Sequence, residues 1–343
     1  MTAALLQRLL DPNDLRPAEV RAVFETLVAP STDATERAAL LVALTARGNR
    51  PTELLALARE MRRRARPFPI SAQDRAIDLC GSGGATVPSF NVSTVSALVV
   101  RAAGVSVAKH GNRSRRGCGS SDLLEALGLP VVTSIAYATA TYRKHRIAFL
   151  HAPLFHPSMA TLGPTRARLG VPTVFNRLGP LANPAGVRFQ VSGVPDRAAA
   201  PVTASLLRTL GVRSGFAMTS DDGCDEFSPR SATTVVAWNG PRTRRFRVHP
   251  SELLDREDRR GSWGALDPSA AADETERLLA GGGGARRGSV LLTSGAALWV
   301  AGVAPDLDRG VDQAREALDS GGAEQLLGEL RAMAPRFVSA RRR

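Results

Sequence analysis

Aromatic residues make up only 5% of this 343-residue chain, and lysine occurs just twice, at Lys109 and Lys144, among 45 basic residues. So few rings leave no stacking platform for single-stranded nucleic acid, although a net charge of +13 is of the kind that often marks a nucleic-acid surface. The arginines are scattered through MRRRAR, SRRG, TYRKHR, RTRRFR, DREDRRG, GARRG and the terminal RRR. We therefore read the charge as a general use of Arg over Lys, and nucleic acid is not expected as a partner. Cysteine is scarce too: Cys80, Cys118 and Cys224 stand far apart, which argues against a disulfide framework or a thiolate metal site and fits a reducing cytoplasm. The longest uncharged stretch, 288–305, is rich in Gly, Ser and Ala and too short for a convincing membrane span. The opening MTAALLQRLLDPND has an acidic, proline-containing break where a signal peptide needs a cleavage site,. No internal repeat is visible. These features, with 43% hydrophobic and 22% charged residues, lead us to expect a soluble, cytoplasmic, globular protein.

What is present divides into two parts. Residues 1–66 read as a small helical bundle. Pro17 suits a first helical position, Asp33 with Glu36 starts AALLVALTAR in the manner of a capping box, Gly48 stops it, and Pro51 opens a further helix ended by Pro67. Leu40, Leu41 and Leu44 recur at helical spacing and form its buried face. RPFPISAQ, at 66–73, is a proline-marked linker. From 74 to 343 strands and helices alternate, which predicts an α/β domain with a mainly parallel sheet flanked by helices, compatible with a short part of the bundle returning later in the chain. GGGGARRG, at 281–288, reads as a flexible turn.

The chain is organised around residues 78–128. An apolar strand, RAIDLC, runs into Gly81, Ser82, Gly83 and Gly84 and then into a helix starting near Ser93. Such a loop lets backbone amides approach an anion, and the helix N-terminus adds its unpaired N–H groups; alone, it is more often plain turn chemistry. Asn91, Ser93 and Thr94 place three polar side chains where capping needs one, leaving hydroxyls for phosphate or a metal. After Gly104 and the short strand VSVA, the run Lys109, His110, Gly111, Asn112 and Arg113 emerges at the strand end, the edge at which parallel sheets bind ligands. A solvated charged turn is the alternative. In a chain that otherwise uses Arg, Lys109 suits a compact point charge on phosphate. Further on, Asp221, Asp222, Asp225 and Glu226 crowd together near a strand end. Mg²⁺ binds through one or two carboxylates plus substrate phosphates, and a solvated acidic turn is again the alternative.

In this order and spacing the residues resemble the phosphoribosyl diphosphate site of the anthranilate phosphoribosyltransferase family, whose pattern runs G-T-G-G-D, N-x-S-T, K-H-G-N-R and G-S-x-D-x-L-E-x-L-G. The matching residues are Gly81 to Ala85, Asn91 to Thr94, Lys109 to Arg113, and Gly119, Ser120, Ser121 and Asp122 up to Gly128. A second stretch resembles the family's acceptor wall through Ala152, Pro153, His156, Pro157, Met159, Arg166, Leu169, Gly170 and residues 175–184. The resemblance implies a pentosyl transfer, from phosphoribosyl diphosphate to the amine of anthranilate with release of pyrophosphate, as in tryptophan biosynthesis. It implies donor-binding roles for Gly81, Gly84, Ala85, Ser89, Asn91, Val92, Ser93, Thr94, Lys109, His110, Gly111, Asn112, Arg113, Gly117 and Ser120. It implies acceptor roles for Gly81, Asn112, His156 and Arg166, with Asn112 and Arg166 placing the reacting nitrogen. Ser93, Asp225 and Glu226 inherit two Mg²⁺ ions, and a homodimer formed through the helical bundle is implied as well. Physically, the Arg166 fork suits a planar carboxylate, whereas its spacing alone makes it one of two helix-surface arginines, with Arg168. His156 reads either as an orienting wall or as a satisfied structural histidine, because the aromatic amine is already neutral near pH 7.

Several positions depart from the family pattern. Ala85 stands for a usual Asp, Pro88 for a small or polar residue, Phe155 for the first His of a pair, and Thr293 for a usual Asn. The loop after Arg113 is one residue shorter, with Arg115, Arg116, Gly117 and Cys118 replacing a Ser-rich stretch. Losing a carboxylate while gaining arginines strengthens attraction for a diphosphate and bears on metal use. Three competing readings follow: transfer to another aromatic carboxylate, a pyrimidine nucleoside phosphorylase, and a non-catalytic relative that binds nucleic acid.

Overall fold

The computed structural model describes residues 2–48, 50–82, 87, 89–114 and 117–338. Four helices come first: α1 (Thr2–Leu10), α2 (Pro17–Val28), α3 (Ala34–Ala46) and α4 (Pro51–Arg63). Pro17 and Pro51 occupy first helical positions, and Asp33 caps α3 by accepting from the Thr35 and Glu36 amides,. The α4 helix ends at Arg63, four residues before the expected stop at Pro67, because Arg64 to Arg66 already lead into the extended linker.

A seven-stranded sheet follows, made of β1 (Ile77–Cys80), β2 (Val107–Gly111), β3 (Ile147–His151), β4 (Phe189–Gly193), β5 (Ser214–Ser220), β6 (Thr233–Asn239) and β7 (Arg242–Val248). Its order is β3-β2-β1-β4-β5-β6-β7. The first five strands are parallel, and β6 and β7 add antiparallel. The chain builds outward from β1 through β2 to β3 and then crosses back to lay β4 on the other side of β1. The β1 end thus sits at the point where strand order reverses, the usual ligand crevice of an open α/β sheet.

One expectation is corrected here. Lys109, His110 and Gly111 lie within β2 and not in a loop beyond it. A buried strand tolerates them because β2 is paired on both sides and the Lys109 ammonium is met by the Leu79 carbonyl at 2.5 Å,. A second correction concerns 281–288: the glycine turn ends at Gly284, and Ala285 begins the helix Ala285–Val300, which is buried almost all round in the main apolar core,.

Alternation along β1 sorts the two faces of the sheet. Ile77 and Leu79 join the core formed with α5 (Val92–Ala102) and the helix Ala285–Val300, while Asp78 and Cys80 face the other way. On that side the helical bundle shares a continuous apolar cluster with Leu162, Val174, Phe175 and Leu178 and with Ala217, Val236 and Trp238 of the sheet. The segment after β3 therefore returns to the bundle, and Phe24 of α2 meets Phe175 with ring centroids 6.2 Å apart. Among the described residues no helix is long and apolar enough to cross a membrane.

Candidate active site

Ser82 follows β1, and its backbone N–H (2.6 Å) and hydroxyl (2.7 Å) both donate to Asp225 Oδ2. Asp225 lies in the connection between β5 and β6 and reaches β1 only because β4 ends in glycine: a Cβ on Gly193 would stand 1.8 Å from the Asp225 carbonyl oxygen. Ser93 lies in the first turn of α5, where Lys109 Nζ donates to its hydroxyl at 3.1 Å. Glu226 is buried beside them. Burial and the neighbouring Asp225 charge raise its carboxyl to about 8, against the pull of Lys109 and of hydrogen bonds from Ser93,. Burial raises Asp225 as well, opposed by the Ser82 hydrogen bonds.

The other two carboxylates of the acidic run are engaged elsewhere. Asp221 pairs with Arg197 at 2.5 Å and with Arg247, which hold its carboxyl below the usual range. Asp222 accepts from the Ser228 hydroxyl at 2.7 Å and from the Cys224 amide at 3.3 Å. Two of the four therefore face inward, joined by the Ser93 hydroxyl. This all-oxygen set suits a hard divalent cation, and a cation there would relieve the like-charge repulsion that raises Glu226. The residues present thus fit Mg²⁺.

From β2 the chain turns sharply. A Cβ on Gly111 would stand 2.1 Å from Ser120 Oγ, so a larger residue there would turn the Ser120 hydroxyl away from Asn112. The Ser120 hydroxyl accepts from the Asn112 amide at 3.1 Å and donates to the Asn112 carbonyl at 3.2 Å. Asp122 gathers the rest of the loop, accepting from the Gly119 amide (2.9 Å), the Ser114 amide (3.0 Å) and Arg113 Nη1 (2.9 Å). Arg113 also pairs with Glu125, so its guanidinium is turned toward the helix Ser120–Ala126. Asn91 makes no capping bond; its amide donates to the Cys118 carbonyl at 3.0 Å and ties the start of α5 to the same loop. Ser89 bridges to Gly264, Val92 and Thr94 are buried, and Gly117 has φ +78°. Gly83, Gly84, Ala85, Pro88, Arg115 and Arg116 lie outside the described residues.

On the bundle side, His110 and His156 are buried with ring centroids 5.2 Å apart. Burial, then the neighbouring His156, push His110 down to about 3, and burial also lowers His156. Arg166 lies half-buried on the helix Leu162–Leu169, and its Nη2 donates to Asn176 Oδ1 at 3.1 Å. The site thus falls into three connected groups. Ser82, Ser93, Lys109, Asp225 and Glu226 meet at the sheet edge, Gly111, Asn112, Arg113 and Ser120 form the adjoining loop, and His110 and His156 face the bundle near the segment that carries Arg166's partner.

Comparison with known proteins bears directly on this arrangement. A glycosyl transferase family model for the a/b domain matches residues 73–324, and one for the helical bundle domain matches residues 3–65. Anthranilate phosphoribosyltransferase of Desulfatibacillum aliphaticivorans is 36% identical over 334 residues, covering 97% of this chain and 98% of that protein. The enzyme of Parvibaculum lavamentivorans is 40% identical over 331 residues, 95% of each. The chain belongs to the anthranilate phosphoribosyltransferase family. Family enzymes of known structure share its fold: the protein from Thermus thermophilus superposes with a TM-score of 0.87 at 36% identity, over 96% of this chain and 99% of that one. The one from Saccharomyces cerevisiae, solved with phosphoribosyl diphosphate and Mg, gives 0.83 at 22% identity, over 98% of each chain.

Two departures from the family pattern can be located. Phe155 is buried against Phe68, with centroids 5.9 Å apart, so the ring that replaces a histidine serves the core. Thr293 is buried in the helix Ala285–Val300 with its hydroxyl oxygen unpaired among the described residues. The sequence pattern placed Ser82 only within the donor loop and gave Asp122 no role of its own; what Ser82 does for Asp225, and Asp122 for the loop after β2, is visible only through the partners they hold.

Proposed function

We propose that this phosphoribosyltransferase moves 5-phosphoribose from phosphoribosyl diphosphate to the amine of anthranilate, releasing pyrophosphate. The observation that carries the reading is the meeting of Ser82, Ser93, Asp225 and Glu226 at the ends of parallel strands, together with full-length likeness to anthranilate phosphoribosyltransferases. Ser93, Asp225 and Glu226 would hold Mg²⁺, two ions per site in our reading, and the yeast relative's complex with phosphoribosyl diphosphate and Mg supports the metal. When bound, Mg²⁺ offsets the charge that develops on the departing diphosphate.

The chain's own residues do the rest by placement. The amides and hydroxyls of 81–85 and 91–94 and the loop from Gly111 to Ser120 cradle the donor. Lys109, engaged with the Leu79 carbonyl and the Ser93 hydroxyl, sets the Ser93 oxygen from below. Asn112 and Arg166 hold the acceptor by its amine and carboxylate, so that a C–N bond forms at C1 of the ribose as the C–O bond to diphosphate breaks, with no covalent enzyme intermediate. His156 lines the acceptor side. Donor contacts proposed for Gly81, Gly84, Ala85, Ser89, Asn91, Val92, Thr94, His110, Arg113 and Gly117 belong to the same reading, as do a homodimer through the helical bundle and a cytoplasmic location. The unpaired thiols, with Cys80 and Cys224 buried, fit the last.

Incubation with phosphoribosyl diphosphate, Mg²⁺ and a panel of aromatic carboxylates, following pyrophosphate release, tests the proposal. Turnover with anthranilate is expected. Turnover with another member of the panel alone would reassign the acceptor, and no calorimetric binding of phosphoribosyl diphosphate in Mg²⁺ would overturn the enzymatic reading.

A further inference from the structure

Four of the residues 179–183 are each held by a separate partner. The Gly179 carbonyl meets His110 Nδ1 at 3.2 Å, the Pro180 carbonyl accepts from Gln190 Nε2 at 2.8 Å, and the Leu181 carbonyl accepts from Arg62 Nε at 2.6 Å. The Ala182 and Met61 backbones lie close enough to the His156 ring to favour its protonated form against burial, and Asn183 Nδ2 donates to the Ala108 carbonyl at 2.8 Å. The holders come from both sides: Arg62 from α4 of the bundle, His110 from β2 and Gln190 from β4. Arg62 spans further, since its Nη1 donates to the carbonyl of Leu210, the residue that caps the helix Ala199–Thr209,.

Each holder also keeps a buried atom with no partner among the described residues, namely Arg62 Nη2, His110 Nε2, His156 Nε2 and Gln190 Oε1. Asp78 Oδ2 is in the same position. Asp78 belongs to this group: its other oxygen accepts from the His110 amide at 3.1 Å, and its charge acts on Arg62. Buried donors and acceptors left dry are costly, and a polar site with several of them is where internal water is found.

We propose that residues 179–183 form a strap, clamped by Arg62 from the bundle and by Gln190 from the sheet and backed by ordered water, that sets the acceptor wall. Arg62 and Gln190 are thus positioning residues. The link to the acceptor rests on the function proposed above. Asn176, three residues before the strap, accepts from Arg166 at 3.1 Å, so slack in the strap moves the fork that grips the acceptor carboxylate. The proposed metal group hangs on Ser82, Ser93 and Asp225, and the strap meets the donor strand β2 through His110 and the Ala108 carbonyl, whereas Arg62 holds it from the bundle side.

The test compares wild type with Arg62→Met, Arg62→Lys and Gln190→Met, measuring kcat, both KM values, melting temperature, and hydrogen exchange across residues 174–187. Small displacements at a positioned group cost up to about a hundredfold, so Arg62→Met is expected to raise the anthranilate KM about tenfold or more while the phosphoribosyl diphosphate KM stays within about twofold. Exchange in the strap rises in parallel. Arg62→Lys, with one ammonium for two carbonyls, is intermediate, and Gln190→Met combined with Arg62→Met gives less than the product of the single effects. Folded variants with wild-type acceptor KM and wild-type strap exchange would overturn the proposal, as would an equal rise in both KM values. If Arg62→Met fails to fold, Arg62→Lys and Gln190→Met carry the comparison. If wild type does not use anthranilate, the functional reading fails while exchange in the strap still decides whether Arg62 and Gln190 clamp it.

Discussion

Ser82 is not among the proposed metal ligands, yet it holds one of them. Its two hydrogen bonds fix one oxygen of Asp225 and leave the carboxylate aimed at the space shared with Glu226 and Ser93. Removal of the hydroxyl by Ser82→Ala is expected to lower divalent-cation affinity about 10- to 100-fold, the usual cost of losing such a supporting partner, with little change in melting temperature. Titration with Mn²⁺ followed by electron paramagnetic resonance would show it; unchanged affinity would mean that the backbone amide suffices. The buried histidines give a second expectation. His110 and His151 are held neutral, at about 3 and about 4, chiefly by burial, whereas 6.5 is the ordinary value. Between pH 6.5 and about 4 these two histidines therefore bind more protons in the unfolded chain than in the native one, so their contribution to stability is full above pH 6.5 and falls as the pH is lowered, by on the order of a few kcal/mol, while Glu226, raised to about 8, acts in the opposite direction over the same range,. In urea midpoints measured from pH 7.5 to 4.5, His151→Asn, which can still meet the Ser121 hydroxyl now 2.8 Å from His151 Nδ1, should gain on wild type as the pH is lowered; a difference that stays constant with pH would remove the histidine contribution.

The loop between β2 and the helix Ser120–Ala126 depends on one carboxylate. Asp122 collects two backbone amides and the Arg113 guanidinium, so Asp122→Ala frees three donors at once. The expected outcome is a phosphoribosyl diphosphate KM raised about tenfold and a stability loss of about 1 kcal/mol, comparable to the loss of a helix cap, both measurable by steady-state kinetics and thermal melting. A larger loss of stability with no kinetic effect would make Asp122 a folding residue only. This loop also marks the boundary of what could be read in advance. The motif of Lys109, His110 and Gly111 stood out in the sequence, yet its placement inside a strand did not, because a lysine and a histidine look like loop residues until β1 and β3 are known to flank them and the Leu79 carbonyl is known to meet the ammonium. Asp78 gave a comparable signal, a charge inside the apolar run AIDLC, whose meaning depends on Arg62, His110 and Asn183 arriving from three other elements.

The helical bundle and the sheet share one apolar cluster, and the bundle's outer side still exposes Leu10 at 72% and Val42 at 48%. If the proposed homodimer forms there, light scattering will report twice the chain mass of 36.3 kDa, and Val42→Asp, which puts a charge into an apolar contact, will shift the population to monomer at micromolar concentration. A wild-type monomer at all concentrations would remove that part of the proposal. The N-terminal helices, the strand-helix alternation and the glycine-rich turn after the first strand were legible in local pattern, because helical spacing, capping residues, and glycine between strand and helix are properties of neighbouring residues. Which two of four adjacent carboxylates turn inward was not, since Asp221 is drawn out by Arg197 and Arg247 and Asp225 is drawn in by Ser82. Those partners stand 24, 26 and 143 positions away, at sites that neither periodicity nor propensity can connect, and they meet only once the sheet has brought β1, β4, β5 and β7 into register.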